Sequence, residues 1–405
     1  MHLTKFEEDM LAGKYTEGDQ EAMKLLVAIG EALGADRMIE INRVHTSLIH
    51  HASDVWYSDK MLNGGAKCRI SPTVNPNYNL DYLKKAGFGD PCNEEEHLKS
   101  VNDVFQKLGI TLSWSCTPEI QQNVPRMGEH VAFAESSATP YVNAILGARS
   151  NRESAKSSLA SAITGRTPNY GFHLDENRIG DTLINVETEI KDDFDYHLLG
   201  YAAAQRMEPG VPVFTNMPQT PLQEELVAFC AELATGGSIA IFHILGVTPE
   251  AKTMDMAFAG KKPKQTITIT EKDLKWAQDR LSKGSDKPVE FVVFGCPHYS
   301  IAQVIEVAQQ LEGKKVHKDV DFWILTSEPT KKLAKDMGLL DVIEKAGAHI
   351  IDSTCSDDTC WHKLYGGKSG VTDSVKAAFY TPRMDQNFTL KRRSECIEIA
   401  IRGGY

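Results

Sequence analysis

Three cysteines follow predicted strands directly, at points where folding can bring distant residues into one site. Cys116 ends a short β-rich run, Cys296 lies in a Gly-Cys-Pro-His sequence after a second run, and Cys355 follows a third. Three converging thiolates suit an iron–sulfur cluster or a soft metal ion better than a nucleophile, because a nucleophilic cysteine needs a single thiol beside a base. With only three protein ligands, one iron keeps an open position for a substrate oxygen and acts as a Lewis acid.

A rival interpretation pairs Cys296 with His298 as a nucleophile and its base, and a simpler one makes Gly-Cys-Pro a turn that only closes a strand. The chain has eight cysteines and no CxxC pair, so it shows neither a disulfide framework nor a zinc finger. For any one cysteine, burial as a small hydrophobic side chain is the commoner outcome. A common site is therefore predicted from the position that the three cysteines share, directly after a strand.

Small and polar residues recur in an apolar background between residues 111 and 178, where a core helix or strand would show a regular apolar period. This density predicts the wall of a polar pocket. The residues concerned are Glu135, Ser136, Ser137, Asn143, Arg149, Asn151, Arg152, Thr164 and Arg166.

Strands and helices alternate in the last part of the chain, which must position two of the cysteines. The predicted strands are 289–294, 320–325 and 349–352, and the predicted helices are 301–311 and 330–346. Such alternation implies right-handed βαβ crossovers and a parallel sheet covered by helices. Because ligands bind at the carboxyl edge of such a sheet, we expect Cys296 and Cys355 to share a site there.

Further elements are predicted upstream, namely helices at 16–35, 95–108, 196–205 and 219–235 and strands at 111–115, 182–187, 211–215 and 237–246. A chain of 405 residues exceeds the usual size of a single core, so two or three structural units are expected. A charged, hinge-like sequence at 283–287 predicts a boundary. We therefore divide the chain into one domain at 1–285 and a second at 286–405.

The composition excludes several classes of partner. A net charge of −11 argues against nucleic acid and against an anionic membrane surface, since both need a basic footprint. The N-terminus has no signal-peptide pattern, and no run of about 18 apolar residues exists to span a membrane. We expect a cytoplasmic protein.

A series of short sequences runs from about residue 3 to residue 400. It includes Cys116-Thr117-Pro118, Gly128-Glu129-His130, residues 134–138, 146–153 and 164–168, His173-Leu174-Asp175, His243 with residues 246–250, Gly295-Cys296-Pro297-His298, and the strand end at 352–355. This series resembles the large, catalytic subunit of the aconitase X family.

The resemblance implies an aconitase-like α/β fold, with several α/β/α units and mainly parallel sheets around a central cluster cleft. It implies an iron–sulfur cluster, of the [4Fe-4S], [3Fe-4S] or [2Fe-2S] type, on Cys116, Cys296 and Cys355. It also implies a dehydratase, a hydro-lyase that removes water from a small hydroxy acid. Members of the family act on cis-3-hydroxy-L-proline or on mevalonate 5-phosphate.

Site residues are also predicted. Ser136, Ser137, Lys376 and His173 are expected to be catalytic, and Thr73, Asn75, Glu135, Arg149, Asn151 and Arg152 are expected to bind substrate. Arg149 and Arg152 can clamp a carboxylate or phosphate in bidentate fashion, or else form structural pairs with Glu135 or Glu153. The sequence leaves open which residue is the base.

The chain departs from the family pattern in three stretches. Around residues 45–56 the usual glycine-containing turn is replaced by His50, His51 and Trp56, for which a histidine metal site is a minor alternative. After Cys116-Thr117-Pro118 the family usually has an aromatic or apolar pair and a small-residue turn, whereas this chain has residues 119–122, Glu-Ile-Gln-Gln. Near the C-terminus Phe379 stands where the family has histidine, and Cys360 is added after the acidic pair Asp357-Asp358.

Substrate choice is predicted from charge. Glu119 follows Cys116 closely, and Asp357 and Asp358 follow Cys355, so the field near the cluster is expected to be more negative than in relatives. A doubly charged phosphate is repelled by such neighbours, by about 1 kcal/mol per close pair even at water-like screening. We therefore rank a 3-hydroxyproline-like amino acid above mevalonate 5-phosphate, with a third hydroxy acid left open.

Family members carry a swivelling β-rich domain or recruit it as a small subunit, and the sequence to Tyr405 contains no such domain. We therefore expect a small swivelling-domain subunit as a partner, which makes a heterodimer. Two other functions stay open, namely a cluster-binding iron or redox sensor, which the net charge disfavours, and a cluster-free scaffold for the missing domain.

Overall fold

The computed structural model describes residues 1–284 and 288–405, which form four β-sheets with helices packed against them. Three of the sheets formed by these residues are parallel, which confirms the predicted α/β architecture. The predicted boundary between 285 and 286 lies outside the described residues, so the two-domain division stays a prediction. No helix within the described ranges is long and apolar enough to cross a membrane.

The first part of the chain is rich in helices. Its elements are α1 (Lys5–Leu11), α2 (Glu17–Ala32), β1 (Met38–Glu40), β2 (Val44–Thr46), α3 (Ala52–Asn63), β3 (Thr73–Val74), α4 (Leu80–Lys85), α5 (Glu95–Leu108), α6 (Pro118–Gln121), β4 (Ala132–Phe133), α7 (Ala138–Pro140), α8 (Ala155–Thr164) and β5 (Arg166–Pro168). A π-helical turn at Tyr141–Ile145 continues α7.

A three-stranded parallel sheet with the order β3-β2-β4 positions the polar residues of this part. Asn75 follows β3 and Glu135 follows β4, so both lie at the carboxyl edge of the sheet. The predicted strand at 111–115 forms only an isolated bridge, between Thr111 and Thr73. Trp114 has a φ of 41°, a left-handed conformation that interrupts extended pairing just before Cys116.

The middle of the chain forms a parallel sheet with helices against it. Its elements are β6 (Thr182–Val186), α9 (Asp193–Arg206), β7 (Pro212–Thr215), α10 (Gln223–Gly237), β8 (His243–Ile244), α11 (Met254–Phe258), β9 (Gln265–Ile269) and α12 (Glu271–Leu281), and the strand order is β8-β7-β6-β9. The predicted strand at 237–246 is wrong over most of its length. Residues 239–242 are buried but form no β-sheet pairing. Helix α10 runs to Gly237, and only the end of the apolar run pairs with β7.

The last part confirms the predicted alternation. Its elements are β10 (Phe291–Tyr299), α13 (Ile301–Leu311), β11 (Asp321–Thr326), α14 (Glu328–Asp336), α15 (Leu339–Ala346), β12 (Ala348–Asp352), α16 (Thr359–Tyr365), β13 (Ser369–Thr372), α17 (Val375–Tyr380), β14 (Asn387–Leu390) and α18 (Arg393–Arg402), and the strand order is β12-β11-β10-β13-β14.

The pairings in this sheet are all parallel, so its strands end at a common edge. The single helix predicted at 330–346 is two helices, because Gly338 adopts a φ of 77° between α14 and α15. Apolar side chains of β10, β11 and β12 fill the core on both faces, among them Phe291, Trp323 and Ile351. The carboxyl edge is left to polar groups.

Candidate active site

A cavity of about 710 Å³ brings the three cysteines together, as their positions after strands predict. Cys116 reaches it from the turn before α6, Cys296 from the carboxyl end of β10, and Cys355 from the turn after β12. The backbone N–H of Cys355 donates to the carbonyl oxygen of Asn77 at 2.9 Å, which ties its turn to the first part of the chain. The site is therefore assembled from two distant stretches of sequence.

Gly295 explains how Cys296 reaches the cavity. Its φ is 94°, and a Cβ at this position would lie 2.0 Å from the carbonyl oxygen of Leu325 on the neighbouring strand. Only glycine fits here without a shift of the backbone. The bend at Gly295 turns the end of β10 so that Cys296 lines the cavity.

The three cysteines are protonated thiols that must lose their protons when they bind a metal. Burial raises the pKa of Cys296 to about 11 and raises the pKa values of Cys116 and Cys355 as well, so all three are protonated near pH 7 without a metal. Backbone N–H groups already point at two sulfurs, from His298 to Cys116 Sγ at 3.3 Å and from Asp357 to Cys355 Sγ at 3.4 Å. Such hydrogen bonds stabilise the thiolates of iron–sulfur proteins.

The chemistry of the three donors also fits a cluster. Three cysteine sulfurs line one cavity, and thiolates are the ligands that hold iron–sulfur clusters in proteins. The donor set at Cys116, Cys296 and Cys355 therefore fits an iron–sulfur cluster.

A lysine–glutamate pair faces the cysteines in the same cavity. Lys376 Nζ donates to Glu135 Oε1 at 2.9 Å and to Ser136 Oγ at 3.1 Å. Burial alone would raise the pKa of Glu135, but the Lys376 ammonium, together with the hydrogen bonds from Asn75 and Ser137, holds it well below its usual range. Burial likewise opposes the charge on Lys376, but Glu135 and the nearby thiols raise its pKa well above the usual value. Both groups are ionised at neutral pH.

A chain of hydrogen bonds fixes the other oxygen of Glu135. Asn75 Nδ2 donates to Glu135 Oε2 at 2.7 Å, and Asn75 Oδ1 lies 2.7 Å from His45 Nε2. Burial lowers the pKa of His45 to about 4, so its ring is neutral, and Nδ1 accepts from Thr73 Oγ1 at 2.8 Å. Glu135 is thus oriented by a buried network that ends at the strand pair β2 and β3.

The family models for the first, second and third domains of aconitase X match residues 1–176, 180–279 and 289–402. The chain belongs to the aconitase X family. It is 36% identical to the phosphomevalonate dehydratase large subunit of Thermococcus kodakarensis over 94% of this chain and 95% of that protein. It is 29% identical to the cis-3-hydroxy-L-proline dehydratase of Pseudomonas aeruginosa over 99% of this chain and 70% of that protein.

The crystal structure of Thermococcus kodakaraensis aconitase X in its holo-form superposes on the chain with a TM-score of 0.88. The sequence identity is 34%, and the match covers 99% of this chain and 100% of that one. The aconitase-like fold implied by the resemblance is therefore confirmed.

The rival Cys–His arrangement is not formed by this aconitase X chain. His298 lines the cavity beside Cys296, but its Nε2 lies 2.9 Å from the carbonyl oxygen of Thr354. Burial lowers the pKa of His298 to about 4, so the ring is neutral and Nε2 donates this hydrogen bond. The Nδ1 atom is buried without a hydrogen-bond partner, which leaves one acceptor beside the cavity.

Three predicted residues, Arg149, Asn151 and His173, lie in a second polar region rather than in the cavity wall that the described residues form. Arg149 donates to the carbonyl oxygen of His173 at 2.8 Å and pairs with Asp175. His173 Nδ1 lies 3.0 Å from the Nδ1 atom of His130, and burial lowers the pKa of His173 to about 3. Asn151 donates to the carbonyl oxygen of Tyr170 at 3.1 Å.

Arg152 is exposed on the strand-like segment beside Phe133. The predicted roles of Arg149, Asn151, Arg152 and His173 in substrate binding or catalysis stay predictions. The remaining predicted residues line the cavity or support Glu135 from behind. Cys116, Cys296, Cys355, Asn75, Glu135, Ser136 and Lys376 line the cavity, while Ser137 and Thr73 support Glu135 from behind.

Arg383 in the cavity wall and Ser374 behind it were not predicted as site residues from the sequence. Arg383 pairs with Asp357 at one side of the cavity and stacks on Tyr380. It lies in the short helical turn after α17, where no spacing or alternation distinguishes it from a surface arginine. Ser374 donates to the carbonyl oxygen of Cys296 and also caps α17, which places Lys376 in the first turn of that helix. A Ser before a helix is a cap signal, so this residue could have been found.

Proposed function

We propose that this chain is the catalytic subunit of a hydro-lyase, which removes water from a small hydroxy acid with the help of an iron–sulfur cluster. The observation that carries the proposal is the convergence of Cys116, Cys296 and Cys355 with the Lys376–Glu135 pair on one cavity in an aconitase X chain. When bound to these cysteines, the cluster supplies a Lewis-acidic iron for the leaving hydroxyl group.

The chain's own residues supply orientation and proton transfer. The Lys376 ammonium is the charged donor that can hold a substrate carboxylate, and Ser136 lies beside it. When a substrate carboxylate pairs with Lys376, the interaction between Lys376 and Glu135 weakens. The pKa of Glu135 then rises, and Glu135 becomes a better base. Glu135 then accepts the proton from the carbon next to the substrate carboxylate. The electron pair of that C–H bond forms the double bond as the C–O bond breaks, and the released hydroxide together with the proton taken up by Glu135 makes up the water that leaves.

Two substrates remain candidates, and the structure changes the electrostatic argument between them. Glu119 is buried and does not belong to the described cavity wall, and burial raises its pKa to about 8. It therefore adds little negative charge near pH 7. The Arg383 guanidinium balances Asp357. Asp358 has no arginine or lysine partner among the described residues, but burial raises its pKa to about 7, so it is only partly charged near pH 7.

A 3-hydroxyproline-like amino acid stays supported by the acidic pair in the wall and by the Pseudomonas relative. Mevalonate 5-phosphate is supported by the higher identity to the Thermococcus large subunit and by the reduced repulsion. That relative is named a large subunit, and we propose that this chain also works with a small subunit. The open cavity supports this, because a second subunit placed over it can exclude water from the reaction.

The cluster assignment is tested by anaerobic reconstitution followed by absorption and electron spin resonance spectra. The Cys296→Ala variant should lose the cluster signal, whereas Cys230→Ala should keep it, since Cys230 is buried in the core of α10 away from the cavity. Equal loss in both variants would reject the assignment.

The reaction is tested by reconstituting the chain with its small subunit and measuring water loss from both substrates. Activity on neither would reject both substrates.

A further inference from the structure

Two histidines and an aspartate meet at one side of the cavity. His50 and His51 lie in the loop between β2 and α3, and Asp358 is the N-cap residue of α16. One ring nitrogen of each histidine and one carboxylate oxygen of Asp358 lie within 4.8 Å of one another. His50 and Asp358 are only 2% and 4% exposed, whereas His51 is open to solvent.

Two carboxylates, those of Glu94 and Asp358, face His50, and neither pairs with an arginine or lysine among the described residues. Asn77 Oδ1 lies 2.5 Å from His50 Nδ1 and accepts its proton in the neutral ring, so Nε2 keeps its lone pair. That nitrogen is 3.4 Å from Glu94 Oε2 and 3.5 Å from the hydroxyl oxygen of Thr359. Asp358 accepts the backbone N–H of Cys360 with Oδ1 at 2.8 Å, and its Oδ2 faces His50 Nδ1 at 3.5 Å. A cation at this point would compensate both carboxylates.

We propose that His50, His51 and Asp358 bind a divalent first-row transition metal ion, at a site separate from the three cysteines. Two imidazoles and one carboxylate are the donor set that Zn²⁺, Fe²⁺ and Mn²⁺ take in proteins, whereas thiolates suit the cluster. The donation from His97 Nε2 to the carbonyl oxygen of His50, at 2.7 Å, holds the loop in place. The exposed His51 gives the ion a path into the site.

The two sides of this site come from distant parts of the sequence. His50 and Asp358 are 308 residues apart in the chain, and they are in contact in the structure through the 3.5 Å approach of His50 Nδ1 to Asp358 Oδ2.

The site also bears on the substrate. His51 and Asp358 line the same cavity as the cysteines, so an ion held there places positive charge beside the reacting molecule. It would attract a phosphate or carboxylate group that Asp358 alone repels. This role in substrate binding rests on the proposed function, whereas metal binding by the three side chains does not.

The test is a titration of the full-length chain, with its cluster reconstituted anaerobically, using Mn²⁺ as the probe. Mn²⁺ prefers oxygen and nitrogen ligands to thiolates, and its free-ion spin-resonance signal falls as it binds. We expect one equivalent to bind and its spin-echo spectrum to show coupling to histidine nitrogen. The His51→Ala and Asp358→Asn variants should bind at least about tenfold more weakly, the usual effect of losing a ligand or its support.

The matched control is His317→Ala, which removes another partly exposed histidine beside an aspartate, with His317 Nδ1 3.8 Å from Asp319. It should bind Mn²⁺ like the unaltered chain. His51 is exposed, so its variant keeps the test valid even if Asp358→Asn fails to fold. The proposal is overturned if the chain binds no Mn²⁺ at millimolar concentration, or if His51→Ala binds it with unchanged affinity. No substrate enters the titration, so failure of the dehydratase assay leaves its result intact.

Discussion

The Lys376→Met variant isolates the buried ion pair at the centre of the proposed site. Lys376 and Glu135 have side chains only 14% and 7% exposed, and their charged atoms are 2.9 Å apart. At an effective dielectric of about 20, this separation corresponds to an attraction of about 6 kcal/mol. Removing one partner of such a pair costs about 3–5 kcal/mol, because the other charge stays buried without compensation. We expect about 3 kcal/mol, since Asn75 and Ser137 still donate to Glu135.

The pH dependence of this loss gives the sharper measurement. The pKa of Glu135 is depressed in the folded chain, so its contribution to stability is present above the pKa of an unfolded carboxyl and is lost as the pH falls. In Lys376→Met the burial that raises this pKa remains and the ammonium that lowers it is gone. Glu135 should then take up a proton at mildly acidic pH. The difference in the free energy of unfolding between the unaltered chain and Lys376→Met is therefore large at pH 7.5 and becomes smaller toward pH 5.

The assay is urea unfolding of the cluster-free chain, followed by tryptophan fluorescence at both pH values. The cluster-free form is the right one, because the protonated thiols of Cys116 and Cys296 leave the ion pair as the main charge interaction. The Lys376→Met/Glu135→Gln double variant is the control and should regain most of the lost stability, since neither charge remains. A gap that is the same at pH 7.5 and pH 5, or a double variant no more stable than the single one, would refute the reasoning.

Three other changes test the site and its support. With small subunit and cluster present, Lys376→Met should lower kcat by about 10²–10⁴-fold, the usual effect of losing a group that assists proton transfer, as measured by water loss from substrate. Gly295→Ala should destabilise the chain and lose the cluster spectrum, because its Cβ would meet the Leu325 carbonyl oxygen at 2.0 Å; an unchanged spectrum would contradict this. Arg393→Met should cost about 3–5 kcal/mol in urea unfolding, since Arg393 is 9% exposed and pairs with Asp193. Arg402→Met should cost less than about 1 kcal/mol, because Arg402 and its partner Glu398 are both exposed.

The cysteines could be predicted because their signal is local. A short apolar run followed by a polar turn marks the end of a buried strand, and parallel strands end at one edge. Cys296 and Cys355 follow this rule directly, on β10 and β12. Cys116 reaches the cavity although its strand does not form, because the N–H of Ser115 still donates to the carbonyl oxygen of Val74 at 3.0 Å and holds the segment beside β3.

The division of the polar stretch at 111–178 could not be predicted. Glu135 and Arg149 both lie in it, at similar local density of polar residues, but Glu135 faces the cysteines and Arg149 pairs with Asp175. What separates them is the path of the chain through the π-helical turn at Tyr141–Ile145. Sequence patterns show which residue types cluster, whereas the face on which each side chain emerges depends on tertiary packing. The meeting of His50 with Asp358 is hidden for the same reason.

The cavity is built from two parts of the chain, and polar groups of the cavity connect them beside a shared apolar core. Glu135, Asn75 and Cys116 come from the first part, and Lys376, Cys296 and Cys355 come from the last. The donation from Lys376 to Glu135 and the donation from the His298 N–H to Cys116 Sγ both cross between these parts. A cluster on all three cysteines would cross the same divide and close a long loop of chain, which couples its binding to the packing of the two parts. The residues that prepare the chemistry therefore also hold the cavity together, and variants at Lys376 should affect both stability and activity.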